Sequence, residues 1–313
     1  MLGYILRRLL ATIPVMGTVA VIVFMLLHLT PGDPAALIGG DLASAEDLRL
    51  IRERLGLERP LVEQFGSWIW QILHGDLGTS LFTQLPVSQL ILQRIEPTLV
   101  IGLTIMIIAV VVAVPLGVVA AWKAGTWVDQ TIMTLAVVAF SMPIFLIGYL
   151  LIFTFAVDLK WLPVRGYASI ASGPVKFLQH IVLPSVTVSF VYIALLTRMT
   201  RATMLEVLNQ DYIRTARAKG VATPRLLALH ALKNAAVPIV TTVGVGLSSV
   251  LGGVVVTETV FAIPGIGRLM IDAIVRSDFP IIQGVILILS ALYVLINLLI
   301  DLSYSLFDPR IRY

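Results

Sequence analysis

Six apolar runs set the pattern of this chain: Leu9–Leu27, Leu99–Trp122, Ile132–Val157, Ile181–Thr197, Ala235–Thr257 and Ile281–Ile300. A helix needs about 20 apolar residues to cross a hydrocarbon core, so each run predicts a membrane-spanning helix. The fourth is the shortest and is expected to continue into the polar residues that follow it. Arg7 and Arg8 before the first run resemble the start of a signal peptide. That run is too long for one and lacks a small-residue cleavage pattern, which predicts an uncleaved span.

The polar stretch after the first run, residues 31–96, has helical patterning of its own. Ser44 with Asp47 three residues on forms a variant of the capping box before "LRLIRERLG", and Gly56 stands where that helix would stop. In "PLVEQFGSWIWQILHG", the residues Leu61, Phe65, Trp68, Ile69 and Ile72 share one helical face, with Gly75 after them. A third short helix is expected from Pro86 to Ile95, before Pro97. This segment reads equally as a cap over the spans and as a docking surface for a soluble partner.

The loops give an orientation. With the N-terminus inside, twelve of the 22 Lys and Arg residues fall in inside segments and five in the two short outside loops; five more lie in the long first loop, which says little. Both termini are predicted inside. The chain therefore divides into 1–30 (first span), 31–96 (outside helical segment), 97–305 (five further spans, with an inside loop at about 206–234) and 306–313 (inside tail). Composition agrees: 58% of residues are hydrophobic, 13% are charged, and the mean hydropathy is +0.97. The fold class expected is an all-α polytopic membrane protein.

Candidate chemistry is sparse. The span interiors hold no Asp, Glu, Lys or Arg; Asp158, Glu258 and Asp301 stand at span ends. That argues against an ion-coupled carrier, a channel or a voltage sensor. There is no G-x-x-x-x-G-K-[ST] loop, so nucleotide hydrolysis by that route is not expected of this chain. The four histidines lack metal-ligand spacing, and cysteine is absent. An enzyme is not expected, and no metal or cofactor in this chain. The net charge of +4 is scattered over loops, which disfavours nucleic acid as a partner.

Three sets of residues remain. Gly244, Ser248 and Gly252 recur at i, i+4 and i+8, the spacing of close helix packing. Pro115, Pro143 and Pro184 interrupt apolar runs and predict kinks. Beyond the fifth run, Pro264, Gly265 and Gly267 break the helix and lead through Arg268 into the amphipathic "RLMIDAIVRSDF", expected at the outer mouth as a gate, a docking brace or a plain surface helix. Inside, "DYIRTARAKG" concentrates Arg214, Arg217 and Lys219 on a short predicted helix, with Tyr212, Thr215, Ala216 and Lys219 on one face and Ile213 adjacent. Gly220 suits the C′ position, and "TPRLLALHALKNA" reads as a second short helix with Thr223 at its N-cap and Pro224 at N1.

That block resembles the coupling loop of bacterial ABC importer permeases, patterned Glu-Ala-Ala, three residues, Gly. Aligned on Gly220, the first three positions are Arg214, Thr215 and Ala216, and the family's later proline falls at Lys233, with Pro238 beyond it. "DYIRTARAKG…HALKNAAVP" is similar to the variant of the dipeptide/oligopeptide/nickel branch. The start "MLGYILRRLLATIPV", "TPGDPA", "LGLERPLVEQF", "GDLGTS", "TETVFAIPGIGRLMIDAIVRSDFPIIQG" and the terminal "DPRIRY" match that branch in order.

The resemblance implies a type I ABC importer permease fold in the bacterial inner membrane. It implies a heterodimer with a second permease chain, two ABC ATPase subunits that carry ATP and Mg, and a periplasmic substrate-binding protein. Its cargo would be di- or oligopeptides, with nickel chelates, glutathione or another small solute as alternatives. Tyr212, Ile213, Thr215 and Ala216 would contact a groove on the ATPase, Arg214, Arg217 and Lys219 its rim, and Gly220 would make the turn.

Overall fold

The computed structural model describes residues 2–29, 44–54, 56 and 58–307. "TPGDPA" and "DPRIRY" lie outside those residues, as does the tail from 308 onward. The helices run α1 (Leu2–Leu29), α2 (Ala45–Arg54), α3 (Leu61–Leu73), α4 (Val87–Trp122), α5 (Trp127–Ser141), α6 (Ile144–Asp158), α7 (Pro174–Leu208), α8 (Asp211–Ala218), α9 (Thr223–Val260), α10 (Ile266–Val275) and α11 (Phe279–Phe307). Among the described residues extended structure is limited to one isolated bridge, Thr79 to Pro86.

Five helices are long and apolar enough to cross a membrane: most of α1, then α4, α7, α9 and most of α11. The third predicted span is not one straight helix. It breaks at Met142–Pro143 into α5 and α6, bent by 100°. Proline disfavours helical geometry at the residue before it, and Met142 is extended (φ −81°, ψ 132°).

Pro97 and Pro115, by contrast, sit inside an unbroken α4, so the short helix expected before Pro97 is the first part of the second span. A proline in a helix forfeits one hydrogen bond, but its fixed φ is helical, and the loss alone does not stop the chain. Pro184 likewise lies within a continuous α7. "TPRLLALHALKNA" also joins its span, through a π-helical turn at Leu226–Leu232. Thr223 is its first helical residue; the N-cap is Ala222.

The chain forms two compact units, Met1–Ile95 with Arg268–Val294, and Glu96–Gly267 with Leu295–Tyr313. In the first, Ala20, Val23 and Leu287 make a small core against which Trp68, Ile69 and Ile72 of α3 pack. Phe24 meets Phe65 edge-to-face at 5.2 Å. Four of the five residues of the predicted α3 face thus turn inward, while Leu61 is half exposed. Gly56 and Gly75 both adopt left-handed φ (+68° and +81°), as helix-terminating glycines do. Ser80 donates to the buried Asp278 carboxylate at 2.6 Å, fixing the loop before α4 to the turn before α11.

In the second unit Ile101, Ile105, Leu196, Val250 and Val254 centre one core, and Ala121, Met204, Ile213, Leu226 and Ala235 another. Lipid is as apolar as leucine, so spans associate through close packing more than through the hydrophobic effect. Small residues mark where helices touch. A β-carbon on Gly117 would lie 2.5 Å from the Thr200 β-carbon and 2.9 Å from the Thr197 carbonyl oxygen, and one on Gly244 would lie 2.7 Å from Ile300. Ser248 is buried. Gly252, expected to pack, has nothing within 4 Å of such a position; its neighbour Gly253, rotated by one residue, faces Val188 at 3.5 Å.

This difference is measurable. Gly117→Ala is expected to lose about 1–3 kcal/mol to overpacking. Gly252→Ala should be neutral or gain up to about 1 kcal/mol from helix propensity. Thermal unfolding of the two purified variants in detergent checks both.

Candidate functional site

The basic helix α8 follows α7 after Asn209 and Gln210, where Gln210 is extended (ψ 147°) and restarts the helix. Its far end is a two-bond C-terminal motif. Gly220 N–H donates to Arg217 O at 3.0 Å, Val221 N–H donates to Ala216 O at 3.2 Å, and Gly220 has φ +77°. That pairing is the Schellman arrangement, and it requires the left-handed conformation that glycine takes without strain.

Placement of the side chains departs from the sequence reading at three positions. Ile213 is 1% exposed, packed with Ala121, Met204 and Leu226, so it anchors α8 to its own chain and is closed to any partner groove. The period-3.6 argument put it beside the outward face; it is instead the most buried residue of the inward side. Ala216 is half-buried against the same cluster. The Arg217 guanidinium lies over the Trp122 ring, 5.4 Å from its centroid, as a cation–π pair at the end of α4. The outward surface comprises Tyr212, Arg214, Thr215, Ala218 and Lys219. Partial burial raises the Tyr212 hydroxyl above its ordinary range, and Arg214 pairs with Asp211 at 3.5 Å.

Between α5 and α7 is an ion pair that the sequence reading missed. Asp129, in the first turn of α5, is buried and accepts a two-pronged bond from Arg201 of α7, at 2.5 Å from Nε and 2.7 Å from Nη2. It also accepts from Gly125 N–H at 3.0 Å, closing the turn that joins α4 to α5. An acid in the first turn, three residues past Thr126, was the available signal; starting the span at Ile132 left it in a loop.

The outer turn holds a second missed group. Glu258 was read as the polar end of a span, yet it lies inside α9 and is 0% exposed. Thr98 of α4 donates to its carboxylate at 2.6 Å and accepts from Ile266 N–H at 2.9 Å, so one hydroxyl bridges α4, α9 and the start of α10. The same carboxylate fills the space where a Gly265 β-carbon would stand, and a β-carbon on Gly267 would lie 2.7 Å from the Val255 backbone. These two glycines are buried close-approach positions, and Pro264 between the helices is exposed. Arg268 follows, half-buried, in α10.

The loop before α7 is fastened by Glu96, which accepts from Ser169 at 2.6 Å and Tyr167 at 3.0 Å. Burial, and then the Glu96 carboxylate, push the Tyr167 hydroxyl well above its ordinary value. No cargo site was assigned from sequence. A groove of about 460 Å³ beside α5 and α6, lined by Leu135, Met142, Leu150 and Phe190 among others, has no charged lining residue and offers nothing to hold a peptide terminus. Among the described residues no group of three or more His, Cys, Asp or Glu is placed to hold a metal.

The second unit thus holds an anchored basic helix between α7 and α9 and a turn after α9 that is bridged to α4. Residues 113–313 match the family described as the binding-protein-dependent transport system inner membrane component, and residues 1–104 match its N-terminal family. The chain is 53% identical over 310 residues to a probable peptide ABC transporter permease protein of Sinorhizobium fredii, covering 99% of each. It is 44% identical over 313 residues both to a putative peptide transport system permease of Brucella abortus and to a glutathione transport system permease of Salmonella choleraesuis, at full coverage. A solved structure of the MetNI methionine ABC transporter in an inward-facing conformation shares the fold, with a TM-score of 0.59 at 17% identity over 70% of this chain and 97% of that one. The chain belongs to the binding-protein-dependent transport permease family, and it is a permease subunit of an ABC importer.

The Thr98 bridge makes a testable claim. Thr98→Val removes a buried hydroxyl that both donates and accepts, and is expected to cost about 1–3 kcal/mol. Thr98→Ser keeps the hydroxyl. Hydrogen exchange at Ile263 to Gly267 should accelerate in the valine variant and stay near wild type in the serine variant.

Proposed function

We propose that this chain pairs with a second permease subunit to form the pathway of an ATP-driven importer of di- or oligopeptides, with α8 as its coupling helix. It would sit in the bacterial inner membrane with both termini cytoplasmic, as the Lys and Arg bias of the loops supports. Two ABC ATPase subunits would hold ATP and Mg and grip the outward surface of α8. A periplasmic binding protein would deliver cargo at the outer turn and the α2–α3 segment. The chain itself has no catalytic step: the chemistry is hydrolysis on the ATPases, and its own residues turn that motion into a change of access.

The observation that carries this reading is how α8 is held. Ile213 is buried in the chain's own core, the C-terminal turn is closed by two backbone bonds, and a surface of Tyr212, Arg214, Thr215 and Lys219 faces away. A topology-setting loop needs only charge. A helix fixed on one side and presented on the other transmits force, because displacing its outer face displaces the core residues beneath. Closure of the ATPases would move α8 and α7 together, a rigid-body switch between two packings. The peptide assignment rests on the relatives' described cargo. Glutathione, itself a tripeptide, is the second reading, favoured by the Salmonella relative.

Thr215 is the position to test, since Ala216 already leans on its own core. Thr215→Trp is expected to weaken ATPase retention roughly tenfold, the size of a 1–3 kcal/mol overpacking cost at a packed interface. Gly220→Val should do the same by straining the left-handed turn. Both variants should remain in the membrane. Wild-type ATPase co-purification by both, at wild-type membrane levels, would sink the coupling assignment, and uptake of labelled dipeptide against labelled glutathione decides the cargo.

A further inference from the structure

We propose that Asp129 and Arg201 form the strut that carries motion of α8 to the bent α5–α6 pair; both act as positioning residues. This rests on the reading of α8 as the coupling helix. Only Asn209 and Gln210 separate α8 from α7, and Arg201 lies on α7 about 10 Å from its end at Leu208, at a helical rise of about 1.5 Å per residue. At that level α7 is pressed against α4 by the Gly117–Thr200 contact, and Thr197 donates to Ala113 O at 3.5 Å. The α7 terminus therefore moves with α4 beside it, and Trp122, the last residue of α4, lies under Arg217 of α8.

Asp129 ties α5 into this group. One carboxylate oxygen takes Arg201 Nε; the other takes both Arg201 Nη2 and the Gly125 amide. α5 is thus joined at its first turn to α7 and to the turn after α4. Its remaining length is largely apolar, and it ends at the 100° break before α6.

A buried ion pair is a weak device for stability, since apolar residues of similar volume would serve as well or better. What the guanidinium–carboxylate fork adds is direction: two parallel bonds fix the angle between the groups as well as their distance. Placed between the helix that continues into α8 and the helix that ends at a break, the fork transmits rotation. A lone point charge does not.

The test uses the assembled transporter with both permeases and the ATPases. The chain has no cysteine, so Ser141→Cys at the exposed end of α5 gives a single site on this chain, spin-labelled before it is assembled with its partners. Arg201→Lys keeps the charge and loses the fork; Asp129→Asn keeps the shape and loses the charge. Thr215→Trp runs alongside. In the parent chain the label's spectrum should change when the ATPases are closed with a non-hydrolysable ATP analogue. In Arg201→Lys that change should shrink on the order of tenfold, with ATPase co-purification unchanged, the scale of effect for a change within a coupled network. The exchanged pair, Asp129→Arg with Arg201→Asp, should recover part of it.

A full response in Arg201→Lys and Asp129→Asn overturns the strut. So does loss of the ATPases, or of Arg201→Lys from the membrane, which would mark the pair as a docking or folding element. An unresponsive label in the parent chain overturns it as well. If Thr215→Trp sheds the ATPases while Arg201→Lys responds normally, the strut alone fails. If Thr215→Trp and Gly220→Val both keep the ATPases, the coupling reading fails.

Discussion

In a hydrocarbon medium a helix gains little by burying leucine and loses much by leaving a polar group unpaired. The structure depends on that asymmetry. Its contacts of consequence are places where an absent side chain lets backbones meet, as at Gly117, or where a buried polar group is fully engaged, as at Thr98 and Asp129. Both kinds are specific in a way apolar contact is not, because they fix which residue faces which. The apolar majority provides solubility in the membrane; a few small and polar side chains decide the arrangement.

The two buried acids divide the work. Glu258 holds the turn between α9 and α10 to α4 through a single hydroxyl. Asp129 holds α5 to α7 through a guanidinium. Each joins elements far apart in sequence. A machine that alternates between two packings needs such joints, since they keep each group of helices rigid while the groups move against one another.

Much of this was legible in the sequence. Length and hydropathy placed the spans, with the third correctly interrupted in composition at Pro143, and the glycines at 56, 75 and 220 marked helix ends by the left-handed geometry they alone take cheaply. Helix joins were less legible. Pro97 looks like a terminator, and only packing along α4 reveals that the chain continues through it. The i, i+4, i+8 spacing found a close approach of α9 at Gly244, to Ile300, and missed at Gly252, because the second approach runs along the opposite face, where Gly246 and Gly253 at i, i+7 meet Tyr192 and Val188 of α7. Glu258 and Asp129 escaped because a linear reading places an acid at a span's end in the aqueous interface. Which end residues turn inward is a property of the neighbours they meet.

The stacking of Arg217 on Trp122 alters what a partner meets at α8. By composition the helix offers a cationic surface. In the structure Arg217 is drawn to an indole of its own chain, and Arg214 stands 3.5 Å from Asp211. Asp211 offsets one of the three cations and the uncharged indole offsets none, so the helix stays cationic while its Arg217 is held in place. Association with α8 therefore keeps a salt-dependent attraction, while the stacked guanidinium enters contact already oriented and has less freedom to lose than an unheld arginine.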